Sequence, residues 1–111
     1  MSLAGAVARA AFGASEAGAS GAKASKPALH TITIEGLRFD PPDLTVQRGD
    51  RVAWVNKDLV PHTATAEAGA GAFASPEIAP NKTWTHVVGK AGEYPYRCTL
   101  HPTMKARLVV L

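Results

Sequence analysis

From His30 to Leu111 the chain is cut into short runs closed by Gly, Pro, Asn or Asp roughly every ten residues, and this rhythm admits little besides an all-β sandwich or barrel. His30–Ile34 alternates and is rich in β-branched residues. Asp43–Gln47 follows the Asp40-Pro41-Pro42 turn and is closed by Arg48-Gly49-Asp50. Arg51–Asn56, Thr63–Ala66, Lys82–Val88, Gly92–Cys98 and Lys105–Leu111 complete the series, with an Ala/Gly loop over Glu67–Ala72. No stretch after residue 29 carries the 3.6-residue apolar period of a docked helix. The expected fold is a sandwich of about seven to eight strands.

Residues 1–28 differ in kind. They hold 11 Ala, 4 Gly and 4 Ser, with few large apolar side chains. Such a segment buries too little surface to offset its ordering entropy, so it reads as a flexible leader or linker ahead of a domain over 29–111. Arg9 interrupts its one apolar stretch, and no export-signal core is visible. At 111 residues the chain is expected to be one soluble domain, and it has no run of the ~18–20 apolar residues that span a bilayer. Its net charge of +3 is spread over scattered Lys and Arg, which disfavours a nucleic-acid surface and suits an acidic protein partner.

A single cysteine, Cys98, rules out an intramolecular disulfide. Its neighbours give it another use. The chain reads Cys98-Thr99-Leu100-His101-Pro102-Thr103-Met104, and Pro61-His62 lies upstream between two strand-like runs. One thiolate, two imidazoles and one thioether are the donor set of blue copper: Cys and two His in a plane, with a long axial Met. Soft sulfur suits Cu(I), and imidazole suits both oxidation states. If the strands flanking His62 and Cys98 are neighbours, both donors emerge at one rim. His30 and His86 lie inside strand runs with no sulfur near them in sequence and read as structural or solvent-facing.

The segment from Gly92 to Met104 also resembles the ligand loop of amicyanin-like members of the cupredoxin family, with its Gly-x-Tyr-x-Tyr-x-Cys-Thr-x-His-Pro-x-Met pattern. The likeness continues through Phe39, Pro41, Leu44 and Val46, then Gly49-Asp50, Val52, Trp54 and Asn56, and Pro61-His62. It implies a Greek-key sandwich holding one copper ion on His62, Cys98, His101 and Met104. It further implies that Asn56 ties the two ligand loops together with Thr99 as partner, and that the Thr63 N–H donates to the Cys98 sulfur. Thr103 and Leu100 depart from the family pattern, and the stretch between His62 and Cys98 is a few residues short.

The function expected is single-electron transfer between a redox protein donor and acceptor. Docking would be transient, through an apolar collar of Pro61, Leu100 and Pro102 around His101. A monomer in a bacterial periplasm or outside the cell suits an isolated copper thiolate. A copper delivery or buffering protein is the alternative, though the chain lacks a Met- or His-rich run for stepwise handover. An enzyme with Cys98 as nucleophile and His101 as base fares worst. Four protein ligands leave no open position, and no third, orienting carboxylate is expected nearby.

Overall fold

The computed structural model describes residues 26–111, and among these there are nine strands and no helix. They are β1 (Leu29–Ile34), β2 (Phe39–Asp40), β3 (Asp43–Val46), β4 (Arg51–Asn56), β5 (Thr65–Ala66), β6 (Phe73–Ala74), β7 (Thr83–Val87), β8 (Gly92–Arg97) and β9 (Lys105–Val110). One sheet runs β2-β1-β4-β7 and the other β3-β9-β8-β5-β6. Parallel pairing of β1 with β4 and of β3 with β9 mixes with antiparallel neighbours, and parallel neighbours need a crossover connection in place of a hairpin.

Alternation along the strands builds the core between the sheets. Ile32 and Ile34 of β1, Val52 and Trp54 of β4, Tyr94 and Tyr96 of β8, and Leu108 and Val110 of β9 are all buried. Trp54 has no exposed surface and packs against Phe73, Trp84 and Tyr96 at ring separations of 5.4–5.6 Å. Burial of one such large apolar side chain contributes about 3 kcal/mol.

The two shortest extra strands fall where the sequence reads as turn or loop. A two-residue strand cannot display a period, and each is held by one aromatic anchor. Phe39 meets Tyr96 at 4.8 Å, and Phe73 packs on Trp54 at 5.5 Å. The run at Thr63–Ala66 shortens to Thr65–Ala66, because the Thr63 N–H goes to Cys98 Sγ and the Ala64 N–H to Ser75 Oγ in place of a strand carbonyl. Residues 1–25, most of the expected leader, lie outside the described residues. Ala28, assigned to that leader, is already tied to the domain: its N–H donates to Asp50 Oδ1 at 2.9 Å, and its carbonyl accepts from Arg51 N. No helix among the described residues is long and apolar enough to cross a membrane.

Candidate metal centre

Two connections meet at one rim of the sandwich. The segment from β4 to β5 carries His62, and the β8–β9 hairpin connection begins with Cys98. Strands β5 and β8 are joined at Thr65 and Arg97, which sets the residues just before one beside the residue just after the other. The hairpin loop is closed on itself by Cys98 N–H to Met104 O (3.1 Å), His101 N–H to Cys98 O (3.3 Å) and Met104 N–H to His101 O (2.9 Å). The short Cys-x-x-His-x-x-Met spacing makes this tight closure possible.

The result is a compact donor cluster. One atom each from His62, Cys98 and His101 lies within 4.8 Å of the others. Cys98 Sγ is 3.5 Å from Nδ1 of His62 and 3.9 Å from Nδ1 of His101, and the Thr63 N–H donates to the sulfur at 3.3 Å. Cys98 and His62 have no exposed surface, Met104 is buried in the same loop, and His101 is half-buried. Of the residues singled out in sequence, these four therefore share one end of the molecule.

The tie between the loops runs differently from the expectation. Asn56 does not reach Thr99. It is fully buried, and its amide donates to Val60 O at 2.9 Å and Ile78 O at 2.8 Å, while its Oδ1 accepts from Asp58 N. The Thr63 side chain makes the bridge instead: its Oγ1 accepts from Thr99 N–H at 2.9 Å and lies 3.0 Å from Thr99 Oγ1. Asn56 sits at the end of β4 and ties its own loop to the β6–β7 connection at Ile78, whereas Thr63 follows His62 directly and faces the Cys98 loop. His62 is pinned through its backbone as well, by a two-way bridge with Ile78 at 3.1 and 2.7 Å.

Sequence reading also missed a carboxylate. Asp58 Oδ2 lies 2.8 Å from His62 Nε2, and its two oxygens accept the N–H groups of Gly36 and Leu37. Burial pushes the Asp58 carboxyl up, but the bonds from Leu37, Gly36 and His62 outweigh it and hold it below the ordinary value. Cys98, His62 and Asp58 thus line up in the order of a nucleophilic triad. With no exposed surface on Cys98 and a backbone N–H on its sulfur, a substrate has no approach. The donor chemistry fits a type-1 copper ion instead: one buried thiol, two imidazole nitrogens facing it, and a thioether in the same loop.

Around the half-buried His101, Leu100 is 43% exposed and Pro102 is exposed, with Pro61 half-buried on the neighbouring loop. Leu59 and Val60, which the sequence did not flag, are 93% and 41% exposed and lie on the same connection as His62. The remaining histidines stand apart from the cluster. His30 pairs with Asp50 at 2.9 Å, and His86 stacks on Trp84 at 5.4 Å, its burial lowering its pKa.

A sandwich of two mixed sheets with a Cys–His–His cluster at one rim defines a class, and the cupredoxin-like domain model matches residues 3–110; the chain belongs to the cupredoxin family. It is 35% identical to amicyanin-alpha of Methylorubrum extorquens over 97% of each chain. It is 32% identical to amicyanin of Paracoccus denitrificans over 71% of this chain and 63% of that one. A solved Cu(I) form of an amicyanin variant has a similar structure, with a TM-score of 0.70 and 30% identity over 79% of this chain and 86% of that one. The chain is an amicyanin-like single-electron carrier with one mononuclear copper site, and not an enzyme.

Proposed function

We propose that His62 Nδ1, His101 Nδ1, Cys98 Sγ and the Met104 thioether would hold the ion, and that electrons would enter and leave at His101. Bound there, copper supplies the one-electron Cu(II)/Cu(I) couple. One observation carries this reading: three donors lie within 4.8 Å of one another, two with no exposed surface and one half-exposed.

The chain contributes rigidity and access. The Thr63 N–H holds the sulfur, and the Thr63–Thr99 bridge fixes one loop against the other, so the donors move little when charge changes. Pro61, Leu100 and Pro102, joined by Leu59 and Val60, give the His101 end an apolar collar. Such a collar suits brief docking of a donor and an acceptor in turn, since redox encounter interfaces are small. The protein works as a monomer in the periplasm or outside the cell, where a lone thiolate site escapes cytosolic thiols. The residues ahead of Ala28 serve as a leader or linker to the domain, which Ala28 itself joins through Asp50 and Arg51.

Adding one equivalent of Cu(II) to the metal-free protein tests the assignment. An intense visible thiolate-to-copper band with a narrow copper hyperfine splitting in EPR is expected, and Cys98→Ser should abolish the band altogether. A colourless complex that takes up only Cu(I) would instead mark a delivery protein.

A further inference from the structure

Asp58 stands where two otherwise separate parts of the molecule meet. Its Oδ2 accepts from the His62 ring at 2.8 Å and from Leu37 N–H at 3.0 Å, and its Oδ1 accepts from Gly36 N–H at 2.7 Å. Its own N–H is held by Asn56 Oδ1 at 2.9 Å. The two donors from the β1–β2 turn come from consecutive residues with positive φ, Gly36 at 65° and Leu37 at 58°. That is the two-residue hairpin turn whose N–H groups point to one side, and Glu35 N–H to Arg38 O closes it at 3.1 Å. A leucine adopts this backbone at a cost, so the turn is over-determined by something outside it. The carboxylate of Asp58 is that contact. With three donors from two directions, it cannot rotate away from the His62 ring.

A ring nitrogen bonded to a carboxylate carries the proton, which leaves the other nitrogen as the lone-pair donor. In His62 that other nitrogen is Nδ1, the atom facing Cys98 Sγ at 3.5 Å. A negative charge behind an imidazole also makes it a stronger donor, and the gain is greater toward the more highly charged ion. His101 has no carboxylate partner among the described residues, so the two imidazoles are unequal.

We propose that Asp58 is a positioning residue of the centre: anchored by the Gly36–Leu37 turn, it fixes the Nε2–H form of His62 and favours the oxidised over the reduced ion. The second half rests on the copper reading given above; the first does not.

Nitrogen-15 NMR of the metal-free wild-type protein reads the first half. A slowly exchanging proton on His62 Nε2 is expected, and a proton on Nδ1 or a rapidly exchanging one overturns the proposal. The second half is read from the reduction potentials of copper-loaded Asp58→Asn and Asp58→Ala. Removing the charge should weaken Cu(II) binding about tenfold relative to Cu(I), so both potentials rise. Asp58→Glu, which restores the charge, should bring the potential back toward wild type. Unchanged potentials in variants that keep the visible band overturn the electronic role. Should neither variant fold, the wild-type spectrum still decides. A wild-type protein that takes up no copper overturns the reading of the centre, while the metal-free spectrum continues to judge the hold of Asp58 on His62.

Discussion

The sandwich carries a His–Asp pair at each end, and the two are almost the same length: 2.8 Å for His62–Asp58 and 2.9 Å for His30–Asp50. Each carboxylate also collects two backbone N–H groups, from Gly36 and Leu37 at one end and from Ala28 and Gln47 at the other. Their surroundings are different. His62 is fully buried and turns its second nitrogen to a thiol, whereas the His30 side chain is 28% exposed and has no sulfur beyond it. The same pair is a ligand support in one place and a fastener in the other, stitching the start of β1 to the β3–β4 turn. What the free ring nitrogen faces makes the difference, and the pair alone carries no function.

Breaking the fastener should have the largest effect on stability and none on the metal chemistry. Asp50→Ala leaves the N–H groups of Ala28 and Gln47 and the His30 ring without their partner, at a cost of about 3 kcal/mol in denaturant unfolding. The reduction potential should stay at the wild-type value, because Asp50 and Asp58 occupy opposite ends of β4. A shifted potential would show that the two ends communicate.

Acid sharpens the same contrast. Burial pushes the Asp50 carboxyl up, but the bonds from Ala28, Gln47 and His30 win, so it lies below its ordinary value of 3.8. A depressed carboxylate stabilises the fold fully above the unfolded pKa, and that share is lost as pH falls through the folded one. Unfolding free energies measured from about pH 5 down to about pH 2 should therefore fall more steeply in wild type than in Asp50→Asn.

A smaller effect is expected at the rim. Thr63→Val keeps the shape of the side chain but leaves Thr99 N–H without its acceptor, a loss of about 1–2 kcal/mol in the metal-free protein. The Thr63 N–H to Cys98 Sγ bond survives this change, so the visible band should remain. Smallest of all, His30→Gln should cost less than about 1 kcal/mol by thermal or chemical denaturation, since the ring is partly solvated and Asp50 keeps its backbone donors. A loss as large as that of Asp50→Ala would mean that the imidazole, and not the backbone, is the principal partner.

Much of this could be read from the residues in order. The alternation from His30 to Ile34 marked a strand, and Ile32 and Ile34 of that run are buried, because a period of two in a half-buried strand is a local property. The Cys98–Met104 spacing likewise announced a closed loop of soft and borderline donors, since ligands three residues apart meet without help from the rest of the fold. Contacts between loops were another matter. Asn56 and Thr63 are both short polar residues near His62, and nothing in their order says which one faces Thr99; the pairing of Thr65 with Arg97 does. Asp58 precedes His62 by four positions in a segment with no regular period, so their contact depends on the path the backbone takes. That path is fixed by Asn56, Ile78 and the Gly36–Leu37 turn: Asn56 bonds Ile78 across 22 residues, Ile78 bonds His62 across 16, and Gly36 bonds Asp58 across 22. Composition and spacing thus specified the class of fold and the chemistry of the donors, which depend on near neighbours and on residue type. The orientation of His62, the bridge between the loops and the two fates of the His–Asp pair came only with packing, because hydrogen bonds between distant segments exist only once the sheets have brought them together.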